Sequence, residues 1–350
     1  MKTSFVSTLA GQNAMRTTIN RAQEELRKLQ GEVTTGKRDD AGVSLGSGTS
    51  QVVNLTAEIE RLNSLKETNT VVSQRLSASQ VALDSMRKAG EKINTVLLSV
   101  LGSDDKTNLS IAKTDLVSSF QTFLGAANTR AFNGEYLMAG INTDAQPLKD
   151  YEPGSPAKAT FDNAKATFMA GRGYTSMDQF TVADMDDFVK NTLEPLYTGN
   201  QWTTDWSSAS DQNIQSRITA NEVVQSSSNA NSTGVRMFAL ASVIGMELLD
   251  SGITPQVRAS LNVTVQNYAQ QSIAGLIREA SVLGVSQNRV ENANTSLQLQ
   301  TNLVETHLND LVDVDPYEAS TRMNTLLTQI QTSYTLTSRI QQMSLINFLK

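Results

Sequence analysis

The apolar positions of this chain fall into seven-residue repeats that crowd both ends and thin out in the middle. Met15, Ile19, Ala22, Leu26, Leu29 and Val33 follow 4-3-4-3-4 spacing, the seam of a helix that meets another helix along its length. Phe5 and Leu9 extend that stripe upstream, with Gln12 interrupting it. Gly36 ends the helix, and Gly42, Gly46 and Gly48 predict a loop to about residue 50. A longer seam follows: Leu62, Leu65, Asn69, Val72, Leu76, Ser79, Leu83, Met86, Gly90, Ile93, Leu97 and Val100 alternate by three and four. At about 1.5 Å per residue this helix is a rod roughly 60 Å long. Asn69, Ser79 and Gly90 interrupt its apolar run, either as tolerated irregularities or as positions that fix register and permit closer packing. Beyond a polar turn at Gly102 to Asp105, Leu109, Ala112, Leu116, Phe123 and Ala126 predict a third helix, returning antiparallel and ending near Asn133-Gly134.

From about 140 to 230 the heptads disappear. Four of the six prolines, both tryptophans (Trp202 and Trp206) and four of the ten phenylalanines gather there, the composition of a separate small domain. Short strands are expected at Thr160-Phe161, Thr167 to Met169, Ile214 to Thr219 and Glu222 to Ser226, and one helix at Val182 to Leu196. Helices resume near Val235, with Phe238, Ala241, Leu248 and Leu249 on one face and a turn at Gly252 to Pro255. Leu283, Ser286, Val290, Ala293, Leu297, Gln300, Val304, His307 and Leu311 form another long seam, and Pro316 punctuates it. The last helix carries Met323, Leu326, Leu327, Ile330 and Tyr334, then Leu336, Ile340, Met343 and Ile346, and ends apolar through Leu345, Phe348 and Leu349.

The expected fold is therefore mainly α: a long antiparallel coiled-coil-like helical rod with both termini paired, plus an inserted small mixed α/β or β domain. Residues 1–35 with 316–350 form a terminal helical domain, 36–140 with 235–315 the rod, and 141–234 the insertion, facing outward. Two apolar end helices can bury their seams only by pairing, and even a pair leaves the wider apolar faces open, so these ends need partners. The candidate assembly interface is Phe5, Leu9, Met15, Ile19, Leu26, Leu29, Met323, Leu326, Leu327, Ile330, Ile340, Met343, Leu345, Phe348 and Leu349. In a free subunit such ends are expected to fray, because an isolated helix pair is marginal in water.

Composition narrows the chemistry. A formal charge of -6 and a pI near 5.0, with no cluster of Lys and Arg, argue against nucleic acid as a partner. The apolar runs are too short for membrane insertion, and the first 20 residues are too weakly apolar for a cleavable signal peptide. With no cysteine and one histidine, no nucleophile, base and orienter can be assembled, so neither an enzyme nor a bound cofactor or metal is expected. His307 sits in the seam register, where a lone histidine is a packed or solvated helix residue. Gly46-Ser47-Gly48 and Gly171-Arg172-Gly173 complete no phosphate-loop fingerprint, and Asp184, Asp186 and Asp187 read as a solvated helix face. Trp202 and Trp206 are expected in the core of the insertion. Charged residues make up only 18%, with Ser, Thr, Asn and Gln filling outward helix positions, which implies faces that are unusually solvated or packed against neighbours.

These residues resemble the flagellin superfamily, the axial proteins of bacterial flagella. TTGKRDDAG (34–42) is similar to the family's loop after the first helix, in shortened form, while LGVSQNRVE (283–291) and DVDPYEA (313–319) resemble its C-terminal signature. Within the superfamily, NGEYLMAGINTDAQPL (133–148) is similar to the pattern of hook-associated junction members, from which Leu137 and Met138 depart. The resemblance implies a structural, non-enzymatic part of the flagellum that joins hook to filament. Its partners would be copies of itself in a ring, hook-associated protein 1, flagellin, the filament cap during assembly and an export chaperone. It further implies an extracellular location reached by type III export. The alternative is a filament flagellin; a ligand-binding or enzymatic role for the central segment is the remaining one.

Overall fold

The computed structural model describes residues 8–40, 42, 46–100 and 102–348. In chain order the elements are α1 (Thr8–Thr35), α2 (Thr49–Ser99), α3 (Lys106–Ala127), α4 (Pro156–Arg172), α5 (Val182–Asp187), α6 (Glu194–Thr198) and α7 (Gln201–Asp205). The strands β1 (Gln215–Arg217) and β2 (Val223–Gln225) come next, then α8 (Thr233–Leu248), α9 (Pro255–Val312) and α10 (Pro316–Phe348). Contacts divide the chain into two units, one of Met1–Ser64 with Gln298–Lys350 and one of Leu65–Leu297, and α2 and α9 contribute residues to both. The fold is mainly α, with one two-stranded sheet among the described residues.

The α2 seam is the framework of the larger unit. Eleven of its twelve expected positions are buried and Leu65 is half-buried. Across the seam, Asn69 Nδ2 donates to Asn294 Oδ1 (2.8 Å) and to the Ile218 carbonyl (3.0 Å), and Gln80 Nε2 donates to the Ala280 carbonyl (2.7 Å). Gly90 lies against Ile273, so each step up α2 is a step down α9 in one constant antiparallel register. A Cβ on Gly90 would come within 3.0 Å of Ile273 Cγ1. Of the three interruptions, Asn69 thus fixes register and Gly90 permits close approach, while the Ser79 hydroxyl is buried without a hydrogen-bond partner.

Asp105 caps α3, its carboxylate accepting from the N–H of Thr107 (2.7 Å) and Asn108 (3.1 Å), and Ser119 Oγ donates to the Ala89 carbonyl (2.7 Å), holding α3 on α2. The helix stops at Ala127, short of the expected Asn133-Gly134, because the Asn128 amide pairs with the backbone of Leu148 instead (3.0 and 2.9 Å). Helix α8 is buried nearly all round, and Phe238 stacks on Phe123 of α3. It meets α9 at a glycine pair, where a Cβ on Gly275 would lie 2.6 Å from the Gly234 Cα.

The central segment departs from expectation in part. Thr160-Phe161 and Thr167 to Met169 lie in α4 and not in strands: Ser155 caps the helix, Pro156 opens it and Gly173 (φ 71°) closes it, and these signals outweigh the β-branched residues. The same capping explains Gly171-Arg172-Gly173. The expected strands near 214–226 pair as an antiparallel hairpin with Gln215 opposite Gln225. From Val182 the helix runs continuously through a π turn (Phe188–Leu193) to Thr198. Trp202 and Trp206 are core: Trp202 Nε1 donates to Asn231 Oδ1 (2.9 Å), and Trp206 stacks on Tyr151 and meets Phe120 of α3 edge-on, so one core runs from the rod through the central segment.

Two further corrections are local. Asp184 is not a solvated group: it is buried at the N-terminus of α5, where it accepts from the Thr181 hydroxyl (2.6 Å) and the Tyr174 hydroxyl (2.8 Å) and pairs with Arg172 (2.9 Å). On α9 the seam is kept to Leu297, after which Thr301 and Leu308 turn inward while Gln300 and His307 are exposed. A straight helix of 3.6 residues per turn drifts off a 3.5 repeat, and the seam absorbs the drift by stepping four residues twice.

We predict that Gly275→Ala lowers stability by about 1–3 kcal/mol, through overpacking against Gly234, whereas Gly125→Ala, with open space at its Cβ, stabilises α3 by up to about 1 kcal/mol. Urea unfolding followed by circular dichroism measures both, and equal effects would contradict this packing. A second prediction concerns acid. The Thr181 hydroxyl, with Tyr174 and Arg172, holds the Asp184 carboxyl below its ordinary range. Its stabilising contribution is therefore complete above the ordinary carboxylate value of about 3.9 and is lost as pH falls through the lowered native value. Asp184→Asn should reduce Tm at neutral pH and make the fall in Tm below about pH 4 shallower.

Candidate assembly surfaces

The two end helices of the smaller unit pair through a short joint that their sequences prescribe. Gly36, at φ 69°, ends α1; the Arg38 N–H then donates to the Val312 carbonyl and the Val314 N–H to the Gly36 carbonyl, both at 2.9 Å. Pro316 opens α10, with the Asp315 carboxylate accepting from the Tyr317 N–H (2.8 Å). The helices run antiparallel, and Gln23 Nε2 donates to the Tyr334 hydroxyl (2.8 Å) while the Thr337 hydroxyl faces Met15 Sδ (3.7 Å).

All six expected seam positions of α1, Met15, Ile19, Ala22, Leu26, Leu29 and Val33, are buried or half-buried. Facing them on α10 are Ala319, Met323, Leu326, Ile330, Ser333 and Thr337, again at 4-3-4-3-4 spacing. Leu327 is half-buried beside this line. Tyr334 and Leu336, also carried by this helix, are about half exposed (51% and 48%), because the spacing past Ile330 selects Ser333 and Thr337. Among the candidate interface residues, Phe5 and Leu349 lie outside the described residues, as do the side chains of Leu9, Ile340, Met343, Leu345 and Phe348.

The pair does not close its own seam. Ile19, Leu29, Ala319 and Ile330 are buried, but Met15, Leu26, Met323 and Leu326 stay partly open. From Met323 to Ser338 the sequence carries no charged residue. Its threonines, Thr325, Thr328, Thr332 and Thr335, turn their hydroxyls back onto carbonyls four residues earlier, satisfying the polar atom within the helix and presenting methyls outward. Such a face loses little hydration when covered by another helix. In the same unit Leu299, Leu303 and Tyr317 are exposed, a signal missed because it lies outside the seams.

The stretch at 133–148, singled out by its pattern in the sequence, has a structural role. Leu137, Met138 and Ala139 are fully buried, the Ala230 N–H donates to the Met138 carbonyl (2.7 Å), and the Ser210 N–H donates to that of Ala139 (3.0 Å). Gly140 adopts φ 62° and a Cβ there would lie 2.5 Å from the Gln212 carbonyl oxygen, so this position requires glycine. His307 is exposed with Gln51 Nε2 at 3.2 Å, and among the described residues no group of three or more His, Cys, Asp or Glu is placed to hold a metal. None of the described helices is long and apolar enough to cross a membrane.

Comparison with known proteins points the same way. The family described as the bacterial flagellin N-terminal helical region matches residues 6–143, and the bacterial flagellin C-terminal helical region matches residues 266–349. The chain is similar to flagellar hook-associated protein 3 of Salmonella typhimurium, 29% identical over 134 residues that cover 37% of this chain and 41% of that protein's length. Its fold is similar to that of a Vibrio parahaemolyticus protein described as flagellar hook-associated, with TM-score 0.54 and 12% identity, covering 77% of this chain and 99% of that one. It is also similar to hook-associated protein 3 of Legionella pneumophila, with TM-score 0.53 and 7% identity over 74% of this chain and 98% of that one. At these identities the solved structures share the fold alone. The matched family regions cover well over half of the chain and contain the two helices that pair at its ends: the chain belongs to the bacterial flagellin family.

Proposed function

We propose that this chain is a structural, non-enzymatic component of the bacterial flagellum that joins hook to filament as a hook-associated junction protein. The observation that carries the reading is the end-helix pair: an antiparallel seam only partly closed within the chain, with an outer face on α10 that is methyl-rich and uncharged from Met323 to Ser338. Neighbouring copies packed side by side cover those faces, and residues 5–29 and 323–349 of the candidate interface do the covering. In this reading residues 1–35 with 316–350 pack axially, 36–140 with 235–315 form the rod and 141–234 face outward. Copies form a ring on hook-associated protein 1, and flagellin adds to the ring under the filament cap. An export chaperone masks the apolar end helix before passage through the type III channel, which a chain without cysteine enters with no disulfide to block it. The similarity to hook-associated protein 3 supports the junction role. The second reading, a filament flagellin, is favoured by the family regions themselves, which are those of flagellin.

Immunogold electron microscopy with antibody to residues 145–230 separates the two readings. Label confined to one band at the distal end of the hook is expected; label along the filament makes the chain a flagellin. Replacing Leu327 and Ile330 together with Asp should abolish incorporation into flagella while the larger unit stays folded, read from an unchanged emission of buried Trp202 and Trp206 and retention of the rod's helical circular dichroism. Normal incorporation of that variant would show that the end helices do not drive assembly.

A further inference from the structure

The turn at residues 129–135 is pinned on every side and yet ends in an exposed aromatic ring. The Ala131 N–H donates to the Glu135 carbonyl (2.7 Å), the Gly134 N–H to the Ala131 carbonyl (2.9 Å) and the Leu137 N–H to the Thr129 carbonyl (3.0 Å). Arg130 lies over the Tyr136 ring and donates to its hydroxyl (2.6 Å), while Arg75 pairs with Glu135 and donates to the Tyr136 carbonyl (3.2 Å). At the tip stands Phe132, 75% exposed, with exposed Val71 and Ile141 beside it around a groove of about 560 Å³. A ring held out on a fixed turn gives up little conformational freedom when it is covered, the property of an interface anchor.

A second apolar opening lies on the same unit. Between α2 and α9, Leu83, Leu276, Ile277 and Ala280 line a groove of about 310 Å³ bordered by Asp84 and Arg87, and Ile277 is 49% exposed. Ile277 sits about 120° around α9 from Arg289. Arg289 bonds Glu222 in the turn of the β1–β2 hairpin (2.8 Å), and the Phe132 groove borders that hairpin at Ser216, so knob and groove face different ways. The charges at both are already paired within the chain, Arg75 with Glu135 and Arg87 with Asp84 and Glu91, so covering either surface strands no ion.

We propose that Phe132 of one copy seats in the Leu276–Ile277–Ala280 groove of the next copy, a head-to-tail contact. The proposal rests on the reading that copies assemble side by side, and it adds a contact away from the end helices. Because the two surfaces are different and face different ways, the contact does not close as a two-fold pair; it repeats from copy to copy, as a ring or helical row requires.

The chain has no cysteine, so an engineered pair reports on this contact alone. Flagella carrying the Phe132→Cys, Ile277→Cys double variant should, on oxidation, yield a ladder of disulfide-linked dimers, trimers and larger species, while each single variant stays monomeric. Monomer alone from the incorporated double variant overturns the proposal. So do dimers from Phe132→Cys alone, which would set two knobs together, and linkage of Cys-bearing copies to a different flagellar protein. Phe132→Ser gives an independent reading: at least about a tenfold loss of incorporated copies is expected with an unchanged circular dichroism spectrum, as for an interface anchor, and normal incorporation overturns the proposal. Failure of the wild-type chain to enter flagella would sink the assembly reading itself; wild-type incorporation without these effects would sink only the Phe132 contact.

Discussion

The seven-residue seam between α2 and α9 is the interaction on which the larger unit depends. It brings two segments far apart in sequence into one antiparallel register, and the other helices are placed by what the seam leaves available. Asn69 makes that register specific, since a slip would strand its amide among apolar neighbours, and Gly90 lets the backbones approach. Each fully buried Leu, Ile or Met along it stabilises the unit by about 1.5–3 kcal/mol relative to exposure. α3 folds back onto α2, α8 fills the space between α3 and α9, and the Trp202–Trp206 cluster continues the same core through Phe120. The central segment is thereby tied to the rod by aromatic packing.

The end helices use the same chemistry in half measure. α1 and α10 form a seam with identical spacing, but Ala319, Ser333 and Thr337 stand where the larger unit has Leu, Ile and Met. Two helices without a third layer cannot enclose even this seam, and such a pair is marginal alone in water. Charge is also withdrawn from the outer face of α10, and threonine hydroxyls are tied back to the helix. The larger unit thus buries its own seam within one chain, whereas the end pair, in the reading proposed above, is completed by its neighbours.

Most of this fold was legible in the residues because a sustained heptad is a long signal: the α2 seam was readable position by position, and both end helices followed from theirs. The departures arose where another constraint outweighed the pattern. Caps at Ser155 and Gly173 made a helix of residues with strand propensity, and the drift between 3.5 and 3.6 residues per turn moved Gln300 and His307 off the seam. Ser333 and Thr337 escaped notice because they are polar, although the spacing of the seam selects them over Tyr334 and Leu336. Asp184 looked like surface because its partners, Thr181, Tyr174 and Arg172, converge only after folding. Phe132 carried no signal at all, since one aromatic in a turn belongs to no period and its exposure is a property of the tertiary structure.

The central claim is that assembly, and not the single chain, completes the burial of the end-helix seam and holds it. Amide hydrogen exchange on the free chain and on the chain in isolated flagella tests it directly, comparing residues 8–35 and 316–348 with the α2–α9 core. Weak protection of both end helices in the free chain, rising on assembly to the level of a core that is protected in either state, is the predicted result. End helices as strongly protected in the free chain as in flagella would contradict the account.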